Sequence, residues 1–215
     1  MNSFTDLIWT DNMKVLFKNI YGRIASRVRL FLTKKKITNI LNKNKVQYST
    51  YQSSGIPYIM IEHGSSMKWG GYFSMNNGMS GNQIGFNTPC IFRCEKAHIT
   101  IGDNVGMSQT TLIAKCADIT IGNNVKLGGG VTLYTSDFHS LNFEYRRDWT
   151  IDREHRSSAP ITLEDDCFIG AGTIVLKGVT IGARSIIGAG SVVTKSVPKG
   201  EIWAGNPARF IKKIP

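Results

Sequence analysis

The sequence predicts an all-β solenoid: a parallel β-helix of hexapeptide repeats with an N-terminal helical appendage and a short C-terminal tail. Two observations carry this. Large aliphatic residues stand at Leu163, Ile169, Val175, Ile181, Ile187 and Val193, each six after the last. Two residues before each of the last five sits a small or β-branched residue: Cys167, Thr173, Val179, Ser185 and Ser191. A helix repeats near 3.6 residues and a strand at two, so neither explains a period of six. A short strand plus a corner does, and three such units close a triangular coil of about eighteen residues. Gly170, Gly182 and Gly188 stand directly after three of the aliphatic positions, where corners form.

The same unit is predicted upstream at Ile121, Leu127 and Leu133, and at Ile101, Met107 and Ile113. The step of eight from Ile113 to Ile121 implies a corner with two extra residues. "ITIGDNV" (Ile99 to Val105) and "ITIGNNV" (Ile119 to Val125) are near copies twenty residues apart, which is one coil plus that insertion. Ile61, Met67, Phe73 and Met79 are read as the frayed first coils. The expected organisation is an appendage over 1–56, the β-helix over 57–200 with an excursion loop at 136–159, and a tail over 201–215.

Met13 to Lys36 predicts an amphipathic helix, with Leu16/Phe17, Ile20, Ile24, Val28 and Phe31/Leu32 recurring on one face. That stretch holds eight Lys or Arg and no acid. Two readings follow: packing on its own oligomer, which is preferred, or peripheral contact with an anionic membrane through 13–36. The whole chain of 215 residues carries a net charge of +11, which suggests an acidic partner. Without a nucleic-acid reading motif, none of that class is expected. Cys90, Cys94, Cys116 and Cys167 follow neither a zinc nor a disulfide pattern. With no long apolar run and no signal-peptide pattern, they are read as reduced thiols in a cytoplasmic protein.

From Ile99 onward, and above all over "PITLEDDCFIGAGTIVLKGVTIGARSIIGAGSVVTKSVPKGEIWAGNPARFIKKI" (Pro160 to Ile214), the chain resembles the hexapeptide-repeat acyltransferases. Among these it looks most like the galactoside, maltose and surface-polysaccharide O-acetyltransferases. The resemblance implies a left-handed coil, against the usual right-handed crossover rule. It also implies a homotrimer and acetyl-coenzyme A as cosubstrate. It makes His139 the general base. Ala171 and Ala189 would contact the pantetheine arm through their backbones. Thr194 and Lys195 would meet the phosphate end, and Arg209 and Lys212 the adenine or 3′-phosphate region. Phe168 would pack at the subunit groove.

The residues support a base at His139 independently. Its stretch, "LYTSDFHSLNF", is where the count of sixes breaks. A thioester needs little activation, whereas an alcohol is a poor nucleophile until its proton is removed. Imidazole suits that task near neutral pH. Its second nitrogen needs a partner: Asp137, a backbone carbonyl, or another acid of the loop. Gly128, Gly129 and Gly130 are candidates to supply an oxyanion amide. His155 is a candidate for the acceptor site, while His63 and His98 read as structural or surface residues. The predicted function is O-acetylation of a saccharide hydroxyl, belonging to a surface polysaccharide or its precursor. The alternatives are an antibiotic O-acetyltransferase of the same fold and a γ-type carbonic anhydrase. The last needs three histidines per metal. His98, His139 and His155 are the only candidate set, without the close spacing, so no metal is expected.

Overall fold

The computed structural model describes residues 11–215, apart from Ser80 and Gly85, with side chains from Lys18 onward. One long helix, α1 (Asp11–Lys43), leads into the coils. The first turns of the solenoid are β1 (Thr50–Ser54), β2 (Tyr58–Ile61), β3 (Ser66–Trp69) and β4 (Tyr72–Asn76). After an excursion over 77–90 come β5 (Ile91–Glu95), β6 (His98–Ile101), β7 (Val105–Ser108), β8 (Thr111–Lys115), β9 (Ile119–Ile121), β10 (Lys126–Gly129) and β11 (Thr132–Tyr134). A second excursion contains a 3-10 turn at Tyr145–Arg147 and the short helix α2 (Trp149–Glu154). The regular coils follow: β12 (Ile161–Leu163), β13 (Phe168–Ile169), β14 (Ile174–Val175), β15 (Thr180–Ile181), β16 (Ile186–Ile187) and β17 (Val192–Val193). The chain closes with β18 (Glu201–Ala204) and β19 (Arg209–Lys213).

Every third strand stacks on its predecessor, giving three parallel faces. The first runs β1-β4-β7-β10-β13-β16-β18, with β19 added antiparallel at its end. The second runs β2-β5-β8-β11-β14-β17, and the third β3-β6-β9-β12-β15. This is the expected left-handed parallel β-helix. The periodic residues point into the prism: Leu163, Ile169, Val175, Ile181, Ile187 and Val193 are all fully buried, as are the small residues two before them. Each such aliphatic residue withdrawn from water contributes about 1.5–3 kcal/mol, so the stack of rungs is the core.

The register departs from expectation in the earlier coils. Leu112, not Ile113, pairs with Leu133, which in turn pairs with Val175. The corner after Ser108 is short, with Gln109 at φ 49, and this moves the inward rung forward by one. Ile113 is half-buried. In the first coils Ile59 rather than Ile61 is in register with Phe92, Met75 with Met107, and Trp69 with Ile101. Met67 and Phe73 are buried all the same, because these longer strands turn two residues inward. Met79 belongs to the first excursion and is exposed. Aromatics fill this wider end, with Trp69 and Phe73 centroids 5.0 Å apart and Phe73 and Phe92 at 6.2 Å.

Ladder pairing extends past the expected limits at both ends. β1 lies within the stretch read as an appendage, and β18 within the stretch read as tail. α1 is longer than the 13–36 expected. Its last turns cap the open end of the prism, with Ile37 and Leu41 fully buried. Asn44 secures that cap, its Oδ1 accepting from the Ile61 amide at 3.1 Å.

Candidate active site

The second excursion leaves the coil after β11 and is pinched at its neck. Ala159 N–H donates to Thr135 O and Asp137 N–H to Ser157 O, both at 3.0 Å. Between the pinched strands the backbone turns at Phe138, whose φ is 64. In an extended strand, residues two apart point the same way. The left-handed residue between Asp137 and His139 breaks that rule, and the two side chains find different partners.

Asp137 pairs with Lys177 Nζ at 2.7 Å, on the coil below. Its Oδ2 is buried without a hydrogen-bond partner. His139 Nδ1 instead meets Asp152 Oδ2 at 2.7 Å. The residue that orients the histidine is therefore Asp152, not Asp137. A carboxylate only accepts, so Nδ1 carries a proton, and in the neutral ring Nε2 is left with its lone pair. The imidazole stays accessible, its side chain 71% exposed, while Asp152 is buried.

Asp152 reaches this place because Asp148 starts a helix. The Asp148 side chain accepts from the amides of Thr150 and Ile151, an N-cap that launches α2. One turn later Asp152 faces back to the loop, where its Oδ1 accepts from the Ser140 amide at 2.6 Å. That amide, together with the His139 ring, holds the Asp152 carboxyl below the usual carboxylate range, against the opposing effect of burial. Arg146 fixes the same segment, donating to Ser140 O at 2.7 Å and Leu141 O at 2.9 Å.

α2 is also tied to the scaffold. Arg153 lies 3.6 Å from Glu95 Oε1 on β5. Glu95 is buried and bonds Lys115 Nζ at 2.5 Å, with Arg93 at 3.7 Å. Burial alone would raise its carboxyl. The Lys115 hydrogen bond and charge, with Arg93 and Arg153, outweigh that and leave it lowered. Sequence reading singled out neither Asp152 nor Glu95. The signal available for Asp152 was the capping pattern: an Asp followed by a short helix that carries an acid one turn on.

Of the six residues assigned to the coenzyme, four fall at two corners and two on β19. Ala171 and Ala189 lie one coil apart between the first and second faces, with Gly190 N–H donating to Ala171 O at 2.8 Å. Thr194 and Lys195 follow β17 and are exposed between the second and third faces, the corner beneath the His139 loop. Arg209 and Lys212 are exposed on β19. Phe168 is exposed on β13. Of the candidate oxyanion glycines, Gly130 already donates its amide to Ser108 O at 3.1 Å. Gly128 and Gly129 serve close approach: a Cβ on Gly128 would lie 2.6 Å from Ala171 N, and one on Gly129 would collide with Ile84 O. His155 packs on Tyr145, centroids 4.3 Å apart, and His98 bonds Ser66 Oγ at 2.8 Å. Among the described residues no group of three or more His, Cys, Asp or Glu side chains could hold a metal ion.

The coils repeat in units of six, and the family model for the hexapeptide repeat of succinyl-transferase matches residues 160–195. The resemblance to the hexapeptide-repeat acetyltransferases is borne out by relatives. The galactoside O-acetyltransferase of Escherichia coli is 35% identical over 126 residues, which are 59% of this chain and 59% of that protein. A maltose O-acetyltransferase from Clostridium difficile is 26% identical in structural alignment, with a TM-score of 0.50 over 84% of this chain and 76% of that one. A Bacillus cereus N-acyltransferase, solved with dTDP and 3-hydroxybutyryl-CoA, shares the fold at a TM-score of 0.64 and 19% identity, over 85% of this chain and 88% of that one. A mitochondrial γ carbonic anhydrase of Arabidopsis thaliana is 27% identical over 58% of this chain and 40% of its own length. The matched part of the chain thus spans under two thirds of these curated relatives' length.

Proposed function

We propose that this chain is an acetyl-coenzyme A-dependent O-acetyltransferase that acts, as a homotrimer, on a saccharide hydroxyl of a surface polysaccharide or its precursor. The observation that carries the reading is the exposed His139 ring held at 2.7 Å by a buried carboxylate. Nε2 takes the proton of the acceptor hydroxyl as its oxygen adds to the thioester carbonyl. The C–S bond then breaks, and the imidazolium returns the proton to the leaving thiolate. Asp152 stabilises the imidazolium while it exists and keeps the ring in the tautomer the reaction needs. The relatives that transfer acetyl groups to galactosides and maltose support the saccharide class.

The two corners support the trimer. Ala171 and Ala189 stand at one corner, Thr194 and Lys195 at another, so one chain does not place all of them along a single groove. A rotated copy brings the two corners together and closes the groove with the neighbour's His139 loop. Acetyl-coenzyme A as cosubstrate agrees with a cytoplasmic protein and with the exposed cations Lys195, Arg209 and Lys212.

The test is coenzyme A release measured against a panel of saccharides and hydroxyl-bearing antibiotics, with calorimetry of coenzyme binding. Saccharide-dependent release, lost in His139→Ala, is expected. Release only with antibiotics would move the assignment to the alternative enzyme. Lys195→Glu should weaken coenzyme binding by about tenfold, in line with the loss of a charged phosphate contact; unchanged affinity would displace the phosphates from that corner. The similarity to a γ carbonic anhydrase supplies a second reading. Stoichiometric zinc in the purified protein, with carbon dioxide hydration, would establish it.

A further inference from the structure

We infer that α1 is an interfacial helix that docks the protein on an anionic lipid surface. The inference stands apart from the chemistry at His139. α1 has two apolar faces, and only one is used. Ile37 and Leu41 close the end of the prism and are fully buried. Ile20, Ile24, Val28 and Phe31 are exposed at 44%, 54%, 51% and 66%. At about 100° per residue these four share a stripe turned by more than about 100° from the capping face. The cap therefore turns the stripe largely outward; only Val28, across a groove from Ile56, and Phe31, across one from Tyr51 and Gln52, approach the first coil.

Charge selects the occupant. Arg23, Arg27 and Lys34 run along one edge of the stripe, Lys18, Arg29 and Lys36 lie beyond Ala25 and Leu32 on the other side, and Lys35 falls within it. An apolar wedge between two rows of long basic side chains is the pattern of a helix lying in a membrane surface. The apolar side chains enter the acyl boundary while the cations reach the headgroups. Residues 13–36 hold eight of the chain's 26 basic residues and none of its 15 acids, which leaves only three units of net positive charge elsewhere. A second copy of this chain therefore offers the helix no opposite charge, and helix against helix would repel. An anionic bilayer offers both an apolar phase and a negative surface. Among the described residues no helix is long and apolar enough to cross a membrane, so the contact is peripheral.

The experiment is flotation of the full chain with vesicles of phosphatidylcholine alone or with a third phosphatidylglycerol, at about 50 mM and about 500 mM salt. Light scattering of the free protein accompanies it. The wild type should float with anionic vesicles at low salt, and at least about tenfold less at high salt or with neutral vesicles. Phe31→Glu with Val28→Glu should abolish flotation, with an unchanged oligomeric state and an unchanged melt, because both side chains are exposed. Arg23, Arg27 and Arg29 all changed to Gln should weaken binding and flatten its salt dependence. No flotation with anionic vesicles at low salt would overturn the proposal, as would equal flotation with neutral ones. A loss of subunits in the Glu variant would also overturn it, since the stripe would then be a contact between copies.

Discussion

Two excursions interrupt the solenoid, and they are held in opposite ways. The loop over 77–90 is clasped by neutral amides. Buried Asn77 accepts from the Cys90 amide at 2.7 Å, and buried Gln109 donates to Gly78 O at 3.2 Å and Asn82 O at 3.0 Å. The loop around His139 is held by charge: Asp137 on Lys177, Asp152 on His139, and Arg153 on the buried Glu95. An amide clasp ignores pH and salt. A charged clasp responds to both, and it can also hand a carboxylate to a catalytic base. The excursion that presents an exposed histidine is the one built from ionisable groups.

The largest expected effect tests whether that second loop is catalytic at all. His139→Ala should lower acetyl transfer by about 10²–10⁴-fold, the usual contribution of a positioned general base. Coenzyme A affinity should stay within about twofold, and wild-type turnover in this variant would remove the mechanism. Next comes the choice of partner. Asp152→Asn should cost at least about tenfold in kcat with little change in KM, whereas Asp137→Asn should cost under about threefold. The reverse order would restore Asp137 as the orienting group.

Glu95→Gln probes the anchor rather than the chemistry. It leaves Lys115 without its buried counter-charge, at about 3 kcal/mol, which is a fall in Tm of roughly 6–12 °C for a chain of this size. Because the folded Glu95 carboxyl titrates below its unfolded value, its contribution is present above the unfolded value. It is lost as pH falls through the lowered folded one. The gap between melts of the wild type and Glu95→Gln should therefore begin to narrow below about pH 4.5 and close only once the pH is under the lowered folded value. The smallest effect belongs to the neutral clasp. Gln109→Ala should cost about 1–3 kcal/mol, equally at pH 4 and pH 8 and at any salt. A pH-dependent gap there would erase the distinction between the two loops.

Much of the fold was legible because a period is a local property. Each rung from Leu163 to Val193 needs only its own strand and corner, and each proved buried. His139 drew notice because it stood where the count stopped, and its role as base is a proposal. The first excursion was not legible. Asn77 stands in "SMNNGMSGNQIG" and Gln109 more than twenty residues beyond it, and nothing local shows that these two amides will be buried as clasps. Ile113 was misplaced for a similar reason. Its rung depends on how tightly the corner at Gln109 turns, and one residue of slip exchanges the inward and outward faces.

The sequence by itself determined the coil, its three-unit closure and the break at which the histidine stands. The tertiary structure decided what that histidine touches. Asp137 is two residues away along the chain, but the left-handed turn at Phe138 sends it to Lys177. Asp152 is thirteen residues away and arrives because a capped helix, anchored on Glu95, brings it back. The same division holds for α1. Its apolar stripe is written in the spacing, but which face caps the core and which is left for another surface depends on where the helix meets the first coil. Spacing along a chain fixes which residues share a face. Only packing fixes which way that face turns.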